Sequence, residues 1–264
     1  MSVECFDLKS KTILVTGGTG WIGTTLCTAF ASAGASVIVS STNMERACAI
    51  RDSLPKVCEG QHHDAVVLDI KMSENDLTTT FDNILADHKA IDVLVNNAYV
   101  FPSKDWKSIS LAEFNEHQHN IGFIFILSRL VYNNLVSQHL PGSIINIGSM
   151  YGHVSSYPDV YEADDVPIAS SVAYHASKGA LINMTRHLAT YWAKKGVRVN
   201  SISPGAFPKP TVAQTFRERL EKRIPLGKCG HPDSLCGIAL LLASGAGAYI
   251  TGQDHLVDGG WTAQ

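Results

Sequence analysis

Lys11-Thr12-Ile13-Leu14-Val15-Thr16-Gly17-Gly18-Thr19-Gly20-Trp21-Ile22-Gly23 is the stretch that decides the fold. Its first half is a short apolar, β-branched run, the composition of a buried strand. Gly17, Gly18 and Gly20 follow at once, and an apolar helical pattern opens at Trp21. Glycine lets the chain turn tightly and bring backbone N–H groups up to a phosphate, whose charge meets the positive end of the helix. A glycine turn alone is weak evidence; between a strand and a helix it is strong. Gly17, Thr19, Gly20, Trp21, Ile22 and Gly23 are therefore expected to hold the pyrophosphate of a dinucleotide.

Outward from this unit the alternation repeats. Runs at 36–39 (SVIV), 65–69 (AVVLD), 91–96 (IDVLVN), 143–148 (SIINIG) and 197–202 (VRVNSI) read as buried strands, and 255–257 closes the series. Near-continuous apolar strands imply burial on both faces, as in a parallel sheet. Helical patterns lie near 21–33, 43–53, 73–88, 111–139, 173–195 and 232–243. The reading is an α/β chain: a Rossmann-type doubly wound, mostly parallel seven-stranded sheet with helices on both faces. No repeat, low-complexity tract or linker interrupts it, so residues 1–264 are expected to form a single dinucleotide-binding and catalytic domain.

Composition narrows the function classes. With 45% hydrophobic and 17% charged residues, the 264-residue chain can build a substantial core. A net charge of −3 without a basic block argues against a nucleic-acid partner. No apolar run approaches the roughly 20 residues of a membrane helix, and the N-terminus lacks a signal-peptide pattern, so a cytoplasmic location is expected. The six cysteines form no C-x-x-C pair, and His117 and His119, two apart, would not share a helix face. No metal is expected.

Tyr174-His175-Ala176-Ser177-Lys178 opens the helical pattern at 173–195, and its four-residue spacing puts phenol and ammonium on one face. A free tyrosine has a pKa of roughly 10, too high for proton transfer near neutrality, and a fixed cation lowers it. Such a pair is common by chance; its surroundings make it specific. Asp69-Ile70 follows the third strand, Asn96-Asn97-Ala98 the fourth, Ser149 the fifth and Pro204-Gly205 the sixth. Asn120 lies in the long helical pattern, and Ile250-Thr251-Gly252-Gln253 and Val257-Asp258-Gly259-Gly260 close the chain. From Lys11 to Trp261 this order resembles the short-chain dehydrogenase/reductase family in its compact single-domain form.

The resemblance implies an oxidoreductase that moves a hydride between NAD(P)(H) and a carbonyl or secondary alcohol. It implies that Tyr174 exchanges a proton with the substrate oxygen and that Ser149 hydrogen-bonds the same oxygen. Lys178 would lower the tyrosine pKa and hold the nicotinamide ribose, and Asn120 would support a proton-relaying water. Asp69 and Ile70 would border the adenine and Asn97 the neighbouring ribose, while Pro204, Gly205 and Phe207 would complete the cofactor contacts. It also implies a homo-oligomer, tetramer or dimer, formed through the helices near 111–139 and 173–195. Phe123, Ile124, Leu127, Leu181, Met184 and Leu188 offer apolar surface there, unless they serve the internal core instead.

Two departures stand out. TGGTGWIG is similar to the loop of the extended branch, which includes sugar-nucleotide epimerases and dehydratases with a sizeable C-terminal substrate domain. Such an enzyme stays as an alternative, as does a non-catalytic nucleotide-sensing protein, against which the full set Asn120, Ser149, Tyr174 and Lys178 argues. Tyr99 stands where the family has a glycine, crowding the floor of the cofactor site. At the end of the second strand, Ser40-Ser41-Thr42-Asn43 brings no carboxylate before Glu45. An acidic residue there would grip the ribose hydroxyls and repel a 2′-phosphate, so NADP is favoured over NAD, with Ser41 near the phosphate. Ser149 and Tyr174 are 25 residues apart, which leaves an insert near 151–172 carrying Tyr157, Asp159, Tyr161, Glu162, Asp164 and Asp165. Its polar rim is expected to favour a small, polar, sugar-like substrate.

Overall fold

In the computed structural model, which describes residues 3–101, 104–161 and 170–264, neighbouring side chains of the first strand enter different cores. Leu14 packs with Phe81, Ile91 and Ile124 on one face of the sheet. Ile13 and Val15 pack with Leu26, Phe30 and Leu242 on the other. A strand covered on both sides has no face to leave polar, which is why 11–16 shows no alternation.

The elements follow the order β1 (Thr12–Val15), α1 (Trp21–Ser32), β2 (Ser36–Ser41), α2 (Met44–Ser53), β3 (Asp64–Val67), α3 (Glu74–Asp87), β4 (Val93–Asn96) and α4 (Leu111–Ser137). The second half holds β5 (Gly142–Ile147), α5 (Pro158–Tyr161), α6 (Val172–Trp192), β6 (Val197–Pro204), α7 (Gln214–Glu221), α8 (Cys236–Ala243) and β7 (Asp254–Val257). The strands form one seven-stranded sheet in the order β3-β2-β1-β4-β5-β6-β7, with every pair parallel. Strand order reverses between β1 and β4, and the crevice at their carboxyl ends is where such sheets take ligands.

The structure corrects the sequence reading at three places. Residues 65–69 were expected to be a buried strand, yet β3 (Asp64–Val67) is only half-buried throughout, because it is an edge strand with a neighbour on one side. Helix α7 was not anticipated; its only buried side chains are Phe216 and Leu220, a four-residue stripe among polar neighbours. Of the apolar residues assigned to subunit contacts, Phe123, Ile124, Leu127, Leu181 and Leu188 lie in the internal core, with Met184 packed against it. Among the described residues no helix is long and apolar enough to cross a membrane.

Candidate active site

Helix α6 carries Tyr174 in its first turn and Lys178 one turn later. A short 3-10 turn, Met150–Gly152, follows β5, and Ser149 caps it by accepting a hydrogen bond from the Tyr151 N–H at 3.1 Å. This turn sits directly on α6: a Cβ at Gly152 would collide with Ile182 and the Lys178 backbone. Glycine there lets Ser149 come beside the Tyr174 phenol, where its hydroxyl draws the phenol pKa down while burial, the larger influence, drives it up.

The Lys178 side chain is buried and donates to the Ile147 carbonyl at 2.7 Å, its only hydrogen bond among the described residues. Burial pushes its pKa down to about 7. Its ammonium lies 5.7 Å from the Tyr174 ring centroid and 4.4 Å from that of Tyr99. The Tyr99 ring meets Tyr174 edge-on, with centroids 5.3 Å apart at 89°. Phe101 lies nearly parallel over Tyr174, 5.5 Å away at 20°. Phe101 was absent from the sequence reading, which had no signal for a ring brought back over the site by a loop.

Asn120 is buried in α4 beside this group. Its Oδ1 accepts from the Val100 N–H at 2.8 Å, and its Nδ2 donates to the His117 carbonyl at 2.9 Å and the Val100 carbonyl at 3.3 Å. The Asn120 side-chain amide is thus spent on backbone, most of it on the residue between Tyr99 and Phe101.

The glycine loop lies across the crevice at the end of β1. Gly17 has φ +62°, a conformation that favours glycine, and a Cβ at Gly23 would collide with the Gly17 carbonyl. Gly20 caps α1 without a side-chain hydrogen bond, and the first turn holds no acidic residue. The N–H groups that open α1 are therefore unpaired donors at the positive end of a twelve-residue helix, a fit for a pyrophosphate. Asn97 braces the loop: its Nδ2 donates to the Thr16 and Gly17 carbonyls at 2.9 and 3.0 Å. Its Oδ1, which accepts no hydrogen bond among the described residues, is left to approach a ribose hydroxyl.

At the end of β2, Thr19 Oγ1 and Ser41 Oγ are 3.0 Å apart, and Ser41 also accepts from the Asn43 N–H at 3.2 Å. No carboxylate lies in this turn. Asp69 accepts from the Lys71 N–H at 2.9 Å, whereas the Ile70 side chain is buried in the core and could meet an adenine only through its backbone. Beyond Pro204, Gly205 presses on Asp258 and Phe207 on Gly230. The neighbouring His231 meets Trp21 edge-on at 5.4 Å, so this loop closes over the start of α1. The structure thus brings Ser149, Tyr174 and Lys178 together, and gathers the glycine loop, Asn97 and Ser41 at the carboxyl ends of β1, β2 and β4.

Of the insert, residues 151–161 and 170–172 are described; Glu162, Asp164 and Asp165 lie outside the described residues. Tyr157 and Tyr161 turn inward onto Trp261 and Phe216 respectively, and the Tyr151 hydroxyl donates to that of Tyr161 at 2.9 Å. Asp159 is ion-paired with Arg223.

Comparison with known proteins adds a relationship to this geometry. Residues 19–262 match the family described as enoyl-(acyl carrier protein) reductase. The 2-dehydro-3-deoxy-D-gluconate 5-dehydrogenase of Bacillus subtilis is 34% identical, across 99% of this chain and 98% of that protein. A short-chain type dehydrogenase/reductase from Mycobacterium marinum superposes with a TM-score of 0.87 at 30% identity, covering all of both chains. A gluconate 5-dehydrogenase from Burkholderia cenocepacia, solved with NADP and tartrate, gives 0.85 at 29% identity, across 99% of this chain and 98% of that one.

Proposed function

The chain belongs to the short-chain dehydrogenase/reductase family, an NAD(P)-dependent oxidoreductase acting on alcohol or carbonyl substrates, and from that premise we propose that Ser149, Tyr174 and Lys178 carry the chemistry. The observation that carries this reading is the seating of the serine turn on α6, which brings Ser149 beside Tyr174 with Lys178 one helical turn behind.

The bound cofactor supplies or accepts the hydride. The Tyr174 phenol gives its proton to the substrate oxygen in reduction and takes it back in oxidation. Ser149 donates to that oxygen and fixes it against the phenol. Lys178 in its charged form stabilises the phenolate, lowering the pKa that burial raises. It is also read as the anchor of the nicotinamide ribose, for which its ammonium has N–H groups to spare.

NADP(H) is the preferred cofactor. The hydroxyls of Thr19 and Ser41 and the absence of a carboxylate at the end of β2 leave an adenosine 2′-phosphate both donors and room. The Burkholderia relative, solved with NADP, agrees.

The substrate is a small polar hydroxy or keto acid, or a sugar derivative. A cavity of about 790 Å³ opens along the start of α6 at His175, the chain neighbour of Tyr174, and its lining includes the polar groups of Tyr151, His153, Ser156, Tyr161, Ser170 and His175. Dehydrogenases of gluconate and 2-dehydro-3-deoxy-D-gluconate among the relatives point the same way. The matched family's description makes an acyl thioester the competing class. Following reduced-nicotinamide absorbance with aldonic acids, their keto forms, β-ketoacyl thioesters and steroid ketones tests this; clear preference for the thioesters or steroids overturns it.

We place the enzyme in the cytoplasm, where its six free cysteines would stay reduced. We expect a homo-oligomer on the family's pattern, formed through surface other than Phe123, Ile124, Leu127, Leu181 and Leu188, which serve the core. A strictly monomeric mass by light scattering at micromolar concentration overturns that expectation.

A further inference from the structure

Tyr99 follows Asn97-Ala98 directly, so the loop that braces the glycine turn runs straight into the catalytic pair. Its ring lies against the Lys178 ammonium at 4.4 Å, while the lysine's single hydrogen bond among the described residues goes to the Ile147 carbonyl. An aromatic face attracts a cation but accepts no hydrogen bond of ordinary strength, so the remaining ammonium protons stay available for a better partner. Phe101 lies over Tyr174 with its outer side in solvent: it is 63% exposed, the profile of a cover and not of a core residue. Tyr99 and Phe101 also meet each other edge-on at 5.2 Å, and Asn120 grips Val100 between them, so residues 99–101 behave as one piece. The Tyr99 hydroxyl, near Ser177, is buried without a hydrogen bond of normal length. The ring, then, and not the hydroxyl, makes the contact.

We propose that Tyr99 is a cofactor-displaced positioning residue: its ring stands against Lys178 where the nicotinamide ribose diol would bind, and the nicotinamide half of the cofactor must lift residues 99–101 away before Tyr174 and Lys178 can act. This rests on the reading of Lys178 as the ribose anchor. Burial under the rings favours a neutral phenol and a neutral amine, whereas catalysis needs a charged amine beside the phenol. Part of the cofactor's binding free energy goes into the displacement, so affinity for the full cofactor is lower than the open site would give. A fragment without the nicotinamide ribose does not meet the ring.

The test compares wild type with Tyr99→Ala, Tyr99→Phe and Lys178→Met. Binding of NADPH and NADH is read from their fluorescence, and binding of ADP by calorimetry. Tyr99→Ala should bind the preferred reduced cofactor about tenfold more tightly and associate faster, with ADP affinity unchanged within about twofold. Tyr99→Phe, which keeps the ring, should match wild type; if instead it tightens binding as Tyr99→Ala does, the ring is not the obstacle. Unchanged or weaker cofactor binding by Tyr99→Ala overturns the proposal, the weaker result making Tyr99 a platform for the cofactor. Equal tightening toward ADP and the full cofactor overturns it too, as a general loosening of the crevice. If the underlying reading of Lys178 is what fails, Lys178→Met will bind the reduced cofactor as wild type does, whatever Tyr99→Ala shows.

Discussion

The Asn120 carboxamide holds both polar groups of the Val100 peptide backbone, accepting from its N–H at 2.8 Å and donating to its carbonyl at 3.3 Å. A helix residue thereby fixes residues 99–101, which also meet the site through their aromatic contacts. Replacing Asn120 by Ala leaves the Val100 groups without these partners. Such a loss costs about 1–3 kcal/mol, less the few tenths that alanine gains in a helix interior. Urea unfolding should show the drop; a change below about 0.5 kcal/mol would mean that the amide does not hold the loop.

Tyr174→Phe keeps the ring's packing against Tyr99 and Phe101 and removes the transferable proton. Loss of a general acid/base should lower kcat at least about a hundredfold, with cofactor affinity close to that of wild type. Near-normal turnover on a confirmed substrate would remove Tyr174 from the chemistry.

Ser41→Asp places a carboxylate where the hydroxyls of Ser41 and Thr19 now meet. It repels a 2′-phosphate and can accept from the ribose hydroxyls of NAD(H). The ratio of kcat/KM for NADPH to that for NADH should fall at least about tenfold, a loss of roughly 1.4 kcal/mol of discrimination. An unchanged ratio would mean that the adenosine ribose binds elsewhere.

Lys178 links the site to stability through pH. Its folded pKa, about 7, lies below the ordinary 10.5, and burial is the cause. Between these values the unfolded chain holds a proton that the folded chain has released. Stability from this group therefore rises with pH across that window and is lowest below pH 7. Lys178→Met removes the buried amine, so this variant should be the more stable protein at neutral pH. Its urea midpoint should climb less steeply than that of wild type between pH 7 and pH 9. Parallel slopes would show that Lys178 stays charged in the folded protein. Turnover should be lost in the same variant, an instance of a catalytic group kept at the expense of stability.

Much of the architecture was legible because its signals are local. The apolar runs that became β1, β2, β4 and β5 face two cores, so apolar residues dominate each, and β1, β4 and β5 end at glycine or asparagine. Helix α7 carried a signal too, Phe216 and Leu220 four apart, but two apolar residues among six polar ones do not stand out from a loop. The half-exposure of β3 could not be read from AVVLD, since position at the sheet edge is set by the order of the strands.

The sequence by itself determined the strand–loop–helix unit at residues 11–32 and the common helix face of Tyr174 and Lys178. Both depend on spacing along one stretch of chain, and backbone geometry converts that spacing directly into position. Only the tertiary structure decided what lies against that face. Ser149 arrives from β5 because Gly152 lets its turn sit on α6, and Tyr99 arrives from β4 because Asn120, on a third element, holds the next residue. Such meetings are between residues roughly 20 to 80 positions apart in the chain, brought together by packing whose gain is shared by the whole sheet and its helices. No local pattern encodes them, and it is these contacts that set the burial of Lys178 and Tyr174 and hence their pKa values.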